Sequence, residues 1–212
     1  MTRKNPGRHH REGTLFVVSA PSGAGKTTLC RKLLKKNAHL KLSVSYTTRE
    51  PRRGEVNDVD YTFITKKRFM TMIDRGEFAE WAMVHGNLYG TSLKRIQRMS
   101  GDGYDILLDI DIRGAMQIKK TYKSATFIFI LPPSLKELRE RLLKRKTDSM
   151  DVIRKRLDNA KEEIAYYKDY DFVIVNDELD TAFQELKSII TASGLKSGKI
   201  EAPWIKKQFK LP

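Results

Sequence analysis

The sequence predicts an α/β fold of three layers, a mostly parallel central sheet flanked by helices. Three observations carry that prediction. Apolar, strand-length runs alternate with segments of helical period, the order that builds parallel sheets covered on both faces. The run Thr14-Leu15-Phe16-Val17-Val18 passes directly into Ala20-Pro21-Ser22-Gly23-Ala24-Gly25-Lys26-Thr27, a strand, a glycine-rich loop and the start of a helix. Between residues 41 and 90 the strands are short and break the parallel pattern, which marks a small inserted subdomain.

Each element has a local reason. After the loop, the first helix runs from Thr27 to residue 36, and a short strand covers 41–45. A polar, proline-containing loop at 47–60 leads to a strand at 61–64. The helix at 66–75 stops at Gly76, a fitting C-terminal residue because glycine accepts a left-handed backbone. Residues 77–84 are extended, and 85–87 form a turn. A helix at 92–99 precedes the buried strand 104–110, and a helix at 113–120 precedes the apolar strand 126–131, closed by Pro132-Pro133. The helix 134–144 has Ser134 as N-cap, with Glu137 completing a capping box. In 151–167, apolar residues fall at Ile153, Leu157, Ala160, Ile164 and Tyr167, the alternating four-and-three spacing of one helical face. A strand at 172–175 and a helix at 179–191 finish the domain.

At 212 residues the chain fits one domain with an ample core. No stretch approaches the roughly 20 apolar residues that cross a bilayer, and the basic N-terminus lacks the apolar segment of a secretory signal. The single cysteine, Cys30, reads as a small buried hydrophobe, and a reducing cytoplasm is the expected home. The net charge of +15 is uneven: residues 1–12 carry +3 and residues 195–212 carry +4, leaving +8 between them. Both basic tails read as solvated rather than as specific nucleic-acid binders; the tail from Leu195, with Trp204, Ile205 and Phe209, reads as docking on its own protein, with another subunit or an anionic surface as the alternatives.

The glycine-rich loop is the first chemical signal. Its backbone N–H groups turn inward around the α- and β-phosphates of a nucleotide, and the following helix aims its positive end at the same anions. Lys26 reaches the β- and γ-phosphates, and the Thr27 hydroxyl can ligand Mg²⁺. Ala20 stands where the usual pattern has a first glycine, a position where negative φ suffices. Gly23 and Gly25, which need the freedom, are present.

A second anion site follows. Arg49 and Arg52 lie in a proline-containing loop, with Tyr61 and Tyr89 further on. Guanidinium forks and phenolic hydroxyls suit a second phosphate held away from the first. Asp109 and Asp111 end an apolar strand at the edge where ligands sit in open parallel sheets, and Asp109 is a candidate for organising Mg²⁺ through water. Arg141 and Arg145 are four apart on one helix, and Arg156 follows on the next.

The motifs together resemble the guanylate kinase family, from about residue 13 to 191. The matching runs are Ser-Ala-Pro-Ser-Gly-Ala-Gly-Lys-Thr (19–27), Ser-Val-Ser-Tyr-Thr-Thr-Arg-Glu-Pro-Arg-Arg-Gly-Glu (43–55), Gly-Asn-Leu-Tyr-Gly-Thr-Ser (86–92), Leu-Asp-Ile-Asp (108–111) and Val-Asn-Asp (175–177). The resemblance implies a P-loop kinase fold with an inserted mixed α/β GMP-binding subdomain at about 41–93 and a helical lid at about 137–157. It implies transfer of the γ-phosphoryl group of ATP to GMP, with dGMP a second acceptor and Mg²⁺ as cofactor. ATP is then expected on Ala20 to Thr28 (Pro21, Ser22, Gly23, Ala24, Gly25, Lys26, Thr27 and Thr28 included), with Arg141, Arg145 and Asn176. Arg49, Arg52, Tyr61 and Tyr89 are expected to hold the GMP phosphate, and Ser45, Glu80 and Thr91 to read the base. Asp109 and Asp111 lie by the acceptor.

The chemistry is consistent. Guanine presents N1–H and N2–H₂ side by side, which a carboxylate accepts together, and its O6 needs a hydroxyl donor; adenine reverses the pattern. Lys26, Arg49, Arg145 and Arg156 are the expected charge-stabilising set, and no general base is needed. Lys146 stands where the family usually has glycine, so the resemblance carries over the charge of the lid at this point and not its local geometry. Taken singly, Glu80 also fits a surface carboxylate and Tyr61 and Tyr89 fit core aromatics. Two other readings differ in kind: a non-catalytic guanylate kinase-like interaction module, and a same-fold kinase for another acceptor such as a ribose bisphosphate. The first predicts a degraded phosphate loop; the second predicts loss of Ser45, Glu80 and Thr91. Oligomeric state stays open.

Overall fold

The computed structural model describes residues 13–84, 86–144, 149–199 and 202–212. The expected basic tail at 1–12, Arg145 and Lys146 of the lid, and residue 85 of the turn lie outside them.

The central sheet has five strands: β1 (Leu15–Ser19), β2 (Leu40–Leu42), β7 (Asp105–Asp109), β8 (Thr126–Leu131) and β9 (Phe172–Val175). They lie in the order β2-β7-β1-β8-β9, and every pairing is parallel. Strand β1 is central and wholly buried, so it reads as a continuous apolar run, as expected of a strand covered on both faces. Its alternation decides which helix each residue meets. Phe16 and Val18 join Leu29 and Leu33 of α1 (Lys26–Lys36) and Phe183, Leu186 and Ile190 of α7 (Leu179–Gly194). Leu15 and Val17 face the other way, into a cluster with Ile96 of α3 (Leu93–Gly101) and Ala115 and Ile118 of α4 (Ile112–Thr121). That is the three-layer sandwich, and Cys30 sits inside it, buried.

A second sheet of four strands stands apart, in the order β4-β3-β6-β5: β3 (Tyr46–Thr47), β4 (Thr62–Phe63), β5 (Phe78–Val84) and β6 (Asn87–Ser92). Only β3 and β4 run parallel; β6 is antiparallel to both its neighbours. Helix α2 (Lys66–Asp74) covers it through Phe69, which stacks on Phe78 with ring centroids 4.5 Å apart. Gly76 ends this helix with φ of 62°, a conformation that glycine takes without strain.

Helices α5 (Leu135–Lys144) and α6 (Met150–Ile164) pack through a small core of Leu138, Leu142, Ile153 and Ala160. Past α7 the chain forms a further short helix, α8 (Ala202–Phe209). No described helix is long and apolar enough to cross a membrane.

Four local expectations need correction. The strand expected at 41–45 ends at Leu42, because residues 43–45 carry the chain from the central sheet to the second one, where β3 begins at Tyr46. Strand β6 was not anticipated, since Gly90 and its polar neighbours hide the period-two pattern. The helix expected to reach Tyr167 ends at Ile164, and Ala165–Asp169 tighten into a 3-10 turn that leaves Tyr167 exposed. Ser134 Oγ accepts the Glu137 N–H at 3.0 Å, as an N-cap should, but the Glu137 carboxylate accepts from Arg141 Nε at 2.9 Å.

Candidate active site

The site forms at the carboxyl ends of β1 and β7, where an open parallel sheet leaves a crevice. At the end of β1 the chain turns through Gly23 and Gly25, with φ of 101° and 95°, and Gly25 leads into α1. The loop is braced from behind: Asn176 Nδ2 donates to Ala24 O at 2.7 Å, in a buried position. A Cβ on Gly25 would run into that same amide, and one on Gly23 would meet Leu138 at 2.9 Å. Helix α5 therefore packs directly on the loop. Pro21 and Ala24 are buried beneath it, and Thr27 and Thr28 are exposed on the first turn of α1.

Lys26 reaches from the loop to the end of β7. Its Nζ donates to Ile110 O at 2.8 Å and lies 2.6 Å from Asp109 Oδ1. Burial penalises the ammonium, but the Asp109 carboxylate outweighs it, and Lys26 titrates above its ordinary range. The lysine is thus a fixed positive charge. Thr27 and Asp109 supply a hydroxyl and a half-buried carboxylate on either side of Lys26. The described residues form no cluster of three or more acidic, histidine or cysteine ligands. Such a sparse oxygen donor set fits Mg²⁺, which keeps several waters and relies on substrate phosphates for much of its shell.

The second sheet presents a basic pocket. The Arg49 guanidinium donates to both oxygens of Glu55, at 2.8 and 3.0 Å, and its Nε donates to Tyr89 Oη at 3.2 Å. It also lies 5.4 Å from the Tyr61 ring centre, while Tyr61 and Tyr89 meet edge to face at 5.8 Å. Glu55 additionally accepts the Arg52 N–H at 2.7 Å, although the Arg52 side chain is on the exposed loop. Hydrogen bonding to Arg49 holds the Glu55 carboxyl below its usual range. Burial raises the Tyr61 phenol, and the charge of Asp109 adds to that.

The same sheet also carries a buried polar pair. Glu80 is 4% exposed and Thr91, its cross-strand partner, is 0% exposed. Thr91 Oγ1 donates to Glu80 Oε1 at 2.5 Å. Burial, with the charge of Asp111 adding to it, pushes the Glu80 carboxyl up to about 7 against the Thr91 hydrogen bond. Ser45 is buried on the segment that joins the two sheets. Asp111 caps α4, with Oδ1 accepting the Gly114 N–H at 2.9 Å.

On the lid side, Arg141 NH2 donates to Asn176 O at 3.0 Å, and Arg156 is half-buried on α6. Sequence reasoning missed three further groups. Glu55 was quoted in a motif, yet nothing local announced that it would neutralise Arg49. Burial raises the carboxyl of Glu163 on α6, and the backbone of Ser22 in the phosphate loop counteracts it; no motif marks this residue. Gly114 and Gln117 of α4 crowd the Glu80 strand, a contact between distant segments that spacing does not reveal.

A glycine-rich loop at the end of a central parallel strand, a lysine held at the strand edge and a facing basic pocket define a P-loop α/β protein with two anion sites. The guanylate kinase family model matches residues 12–193. The chain is 52% identical to a guanylate kinase of Geobacter metallireducens over 90% of this chain and 94% of that one. It is 51% identical to one of Syntrophotalea carbinolica over 91% of both. The crystal structure of guanylate kinase from Anaplasma phagocytophilum superposes with a TM-score of 0.80 at 32% identity, covering 96% of this chain and 98% of that one. The chain belongs to the guanylate kinase family.

Proposed function

We propose that the protein transfers the γ-phosphoryl group of ATP to GMP, giving ADP and GDP, with dGMP as a second acceptor. The observation that carries this reading is the buried Glu80–Thr91 pair, which packs against Gly114 of α4 beside Asp111, two residues after the Asp109 that holds Lys26. That short path supports reading the donor loop and the carboxylate as parts of one site.

Each residue has a part that follows from its position. Glu80, as carboxylate, accepts guanine N1–H and N2–H together. With the Thr91 hydroxyl donating to Glu80, Ser45 is the hydroxyl left for O6. Adenine offers an acceptor where guanine has N1–H and leaves the buried carboxylate unpaired. Arg49, Arg52, Tyr61 and Tyr89 hold the acceptor phosphate, which takes over from Glu55 on the Arg49 fork. The loop from Ala20 to Thr28, braced by Asn176, holds the ATP phosphates, and Lys26 neutralises the β- and γ-oxygens.

Arg141 and Arg156 approach from the lid at about 137–157, with Arg145 assigned there by the family resemblance. Thr27, with Asp109 through water, would hold Mg²⁺, which supplies charge neutralisation between the β- and γ-phosphates when bound. No residue need act as a general base, because positioning and charge stabilisation account for most of this reaction. The buried lone Cys30 suits a reducing cytoplasm.

Incubation with ATP, Mg²⁺ and GMP should yield GDP and ADP in equal amounts by chromatography. Folded protein that makes no GDP, or that phosphorylates a ribose bisphosphate instead, would refute the proposal.

A further inference from the structure

Helix α4 begins where the phosphate site ends, and one of its faces backs strand β5. Asp111, at its start, draws in the first turn through the Gly114 N–H. Gln117 then grips the backbone of Trp81 at both ends: its Nε2 donates to Trp81 O at 2.7 Å, and the Trp81 N–H donates to its Oε1 at 3.3 Å. Asp111, Gly114 and Gln117 are spaced by three and share one helical face. Between them lies Glu80, the residue before Trp81.

Gly114 is buried, and the Glu80 carboxylate fills the space that a Cβ would take. A Cβ there would stand 2.9 Å from Glu80 Cδ and nearer still to Oε2, with Asp111 Oδ1 at 3.1 Å. Thr91 holds the other oxygen, Oε1. The carboxylate is fixed on one side by a hydroxyl and on the other by a stretch of helix without a side chain. The glycine is not present for backbone freedom, because it lies inside α4 with ordinary helical geometry. Alanine would be the better helix former.

We propose that Gly114 and Gln117 are positioning residues for guanine selection, setting the plane of the Glu80 carboxylate through a side-chain-free contact and a backbone clamp. The proposal rests on the reading of Glu80 as acceptor for guanine N1–H and N2–H. A two-pronged hydrogen bond is sensitive to direction. What yields to a methyl at position 114 is the flexible end of Glu80 rather than the backbone, so the substitution strikes recognition before it strikes folding.

The test is Gly114→Ala with GMP and ATP titrated separately, run beside Glu80→Gln. GMP binding weakens about 10-fold or more, as misplacement by an ångström does, while ATP binding stays within about twofold and the melting temperature does not fall. On a Glu80→Asp background, whose shorter side chain leaves room for the methyl, Gly114→Ala costs less than about twofold, a coupling that an independent structural defect does not produce. Gln117→Ala, which leaves Gly114 in place, also weakens GMP selectively and keeps the test decisive should Gly114→Ala not fold. Unchanged GMP affinity in both variants, or a parallel loss of ATP affinity, overturns the proposal. If Glu80→Gln binds GMP as the unaltered protein does, the reading of Glu80 itself fails instead.

Discussion

Burial lifts the Glu80 carboxyl to about 7, so near neutral pH the unliganded side chain is divided between two protonation states. Guanine needs the ionised one, since only a carboxylate accepts two N–H groups. GMP affinity should therefore fall as pH drops from about 8 to about 6, by roughly 10-fold for one proton taken up per pH unit below the pKa. Glu80→Gln keeps the titration of the GMP phosphate but should lose this additional slope. The stability effect has a definite sign. A carboxyl whose folded pKa lies above its unfolded value of 4.5 contributes stability below that value and loses it as pH rises through 7. Between those limits the unliganded protein should weaken with rising pH relative to Glu80→Gln, measured by denaturant titration.

Lys26 poses the opposite case, a charge held on by Asp109 throughout the working range. Lys26→Ala should reduce turnover by about 10³-fold or more, by analogy with other cations at transferring phosphoryl groups. It should leave GMP binding largely intact by calorimetry; a near-normal rate would contradict its role. The identity of both residues was legible from motif order in the sequence. Their electrostatics were not, because the reach of Lys26 to Ile110 O joins segments 84 residues apart, and the burial of Glu80 depends on β6 and α4 packing against its strand.

At the scale of elements, the strands of the central sheet could be read directly. Continuous apolar runs that end at proline or polar residues have few alternatives, and 126–131 and 172–175 coincide with β8 and β9 residue for residue. The second sheet was harder, since two of its strands have two residues each and depend on their neighbours for definition. The bracing of the phosphate loop was harder still. Arg141 on α5 holds the carbonyl of Asn176, and the Asn176 amide holds Ala24 O, so α5 and the loop are joined by one residue. Asn176→Ala removes a donor from a buried carbonyl, at a cost of about 1–3 kcal/mol. Expressed in the loop, that loss should raise the KM for ATP about 10-fold or more and leave GMP titrations unchanged. Equal weakening at both sites would mean that Asn176 supports the fold in general.

At the scale of the whole molecule, the design separates two tasks. On the proposed reading the parallel sheet fixes the donor phosphates at its edge and the smaller sheet carries the acceptor pocket; α4 reaches from one sheet to the other. The net charge of +15 suits a protein that brings two polyanions together, although the part carried by residues 1–12 and 195–212 was read from sequence as solvated tail. Guanine selectivity belongs to this scale, because it needs Glu80 from β5, Thr91 from β6 and Ser45 from the crossing segment in one place. The direct test is a comparison of kcat/KM for GMP and AMP at saturating ATP. The predicted ratio favours GMP by about 10³-fold or more, the discrimination expected when the wrong base leaves a buried polar group unpaired. Comparable rates with the two nucleotides, or no phosphorylation of GMP by folded protein, would contradict it.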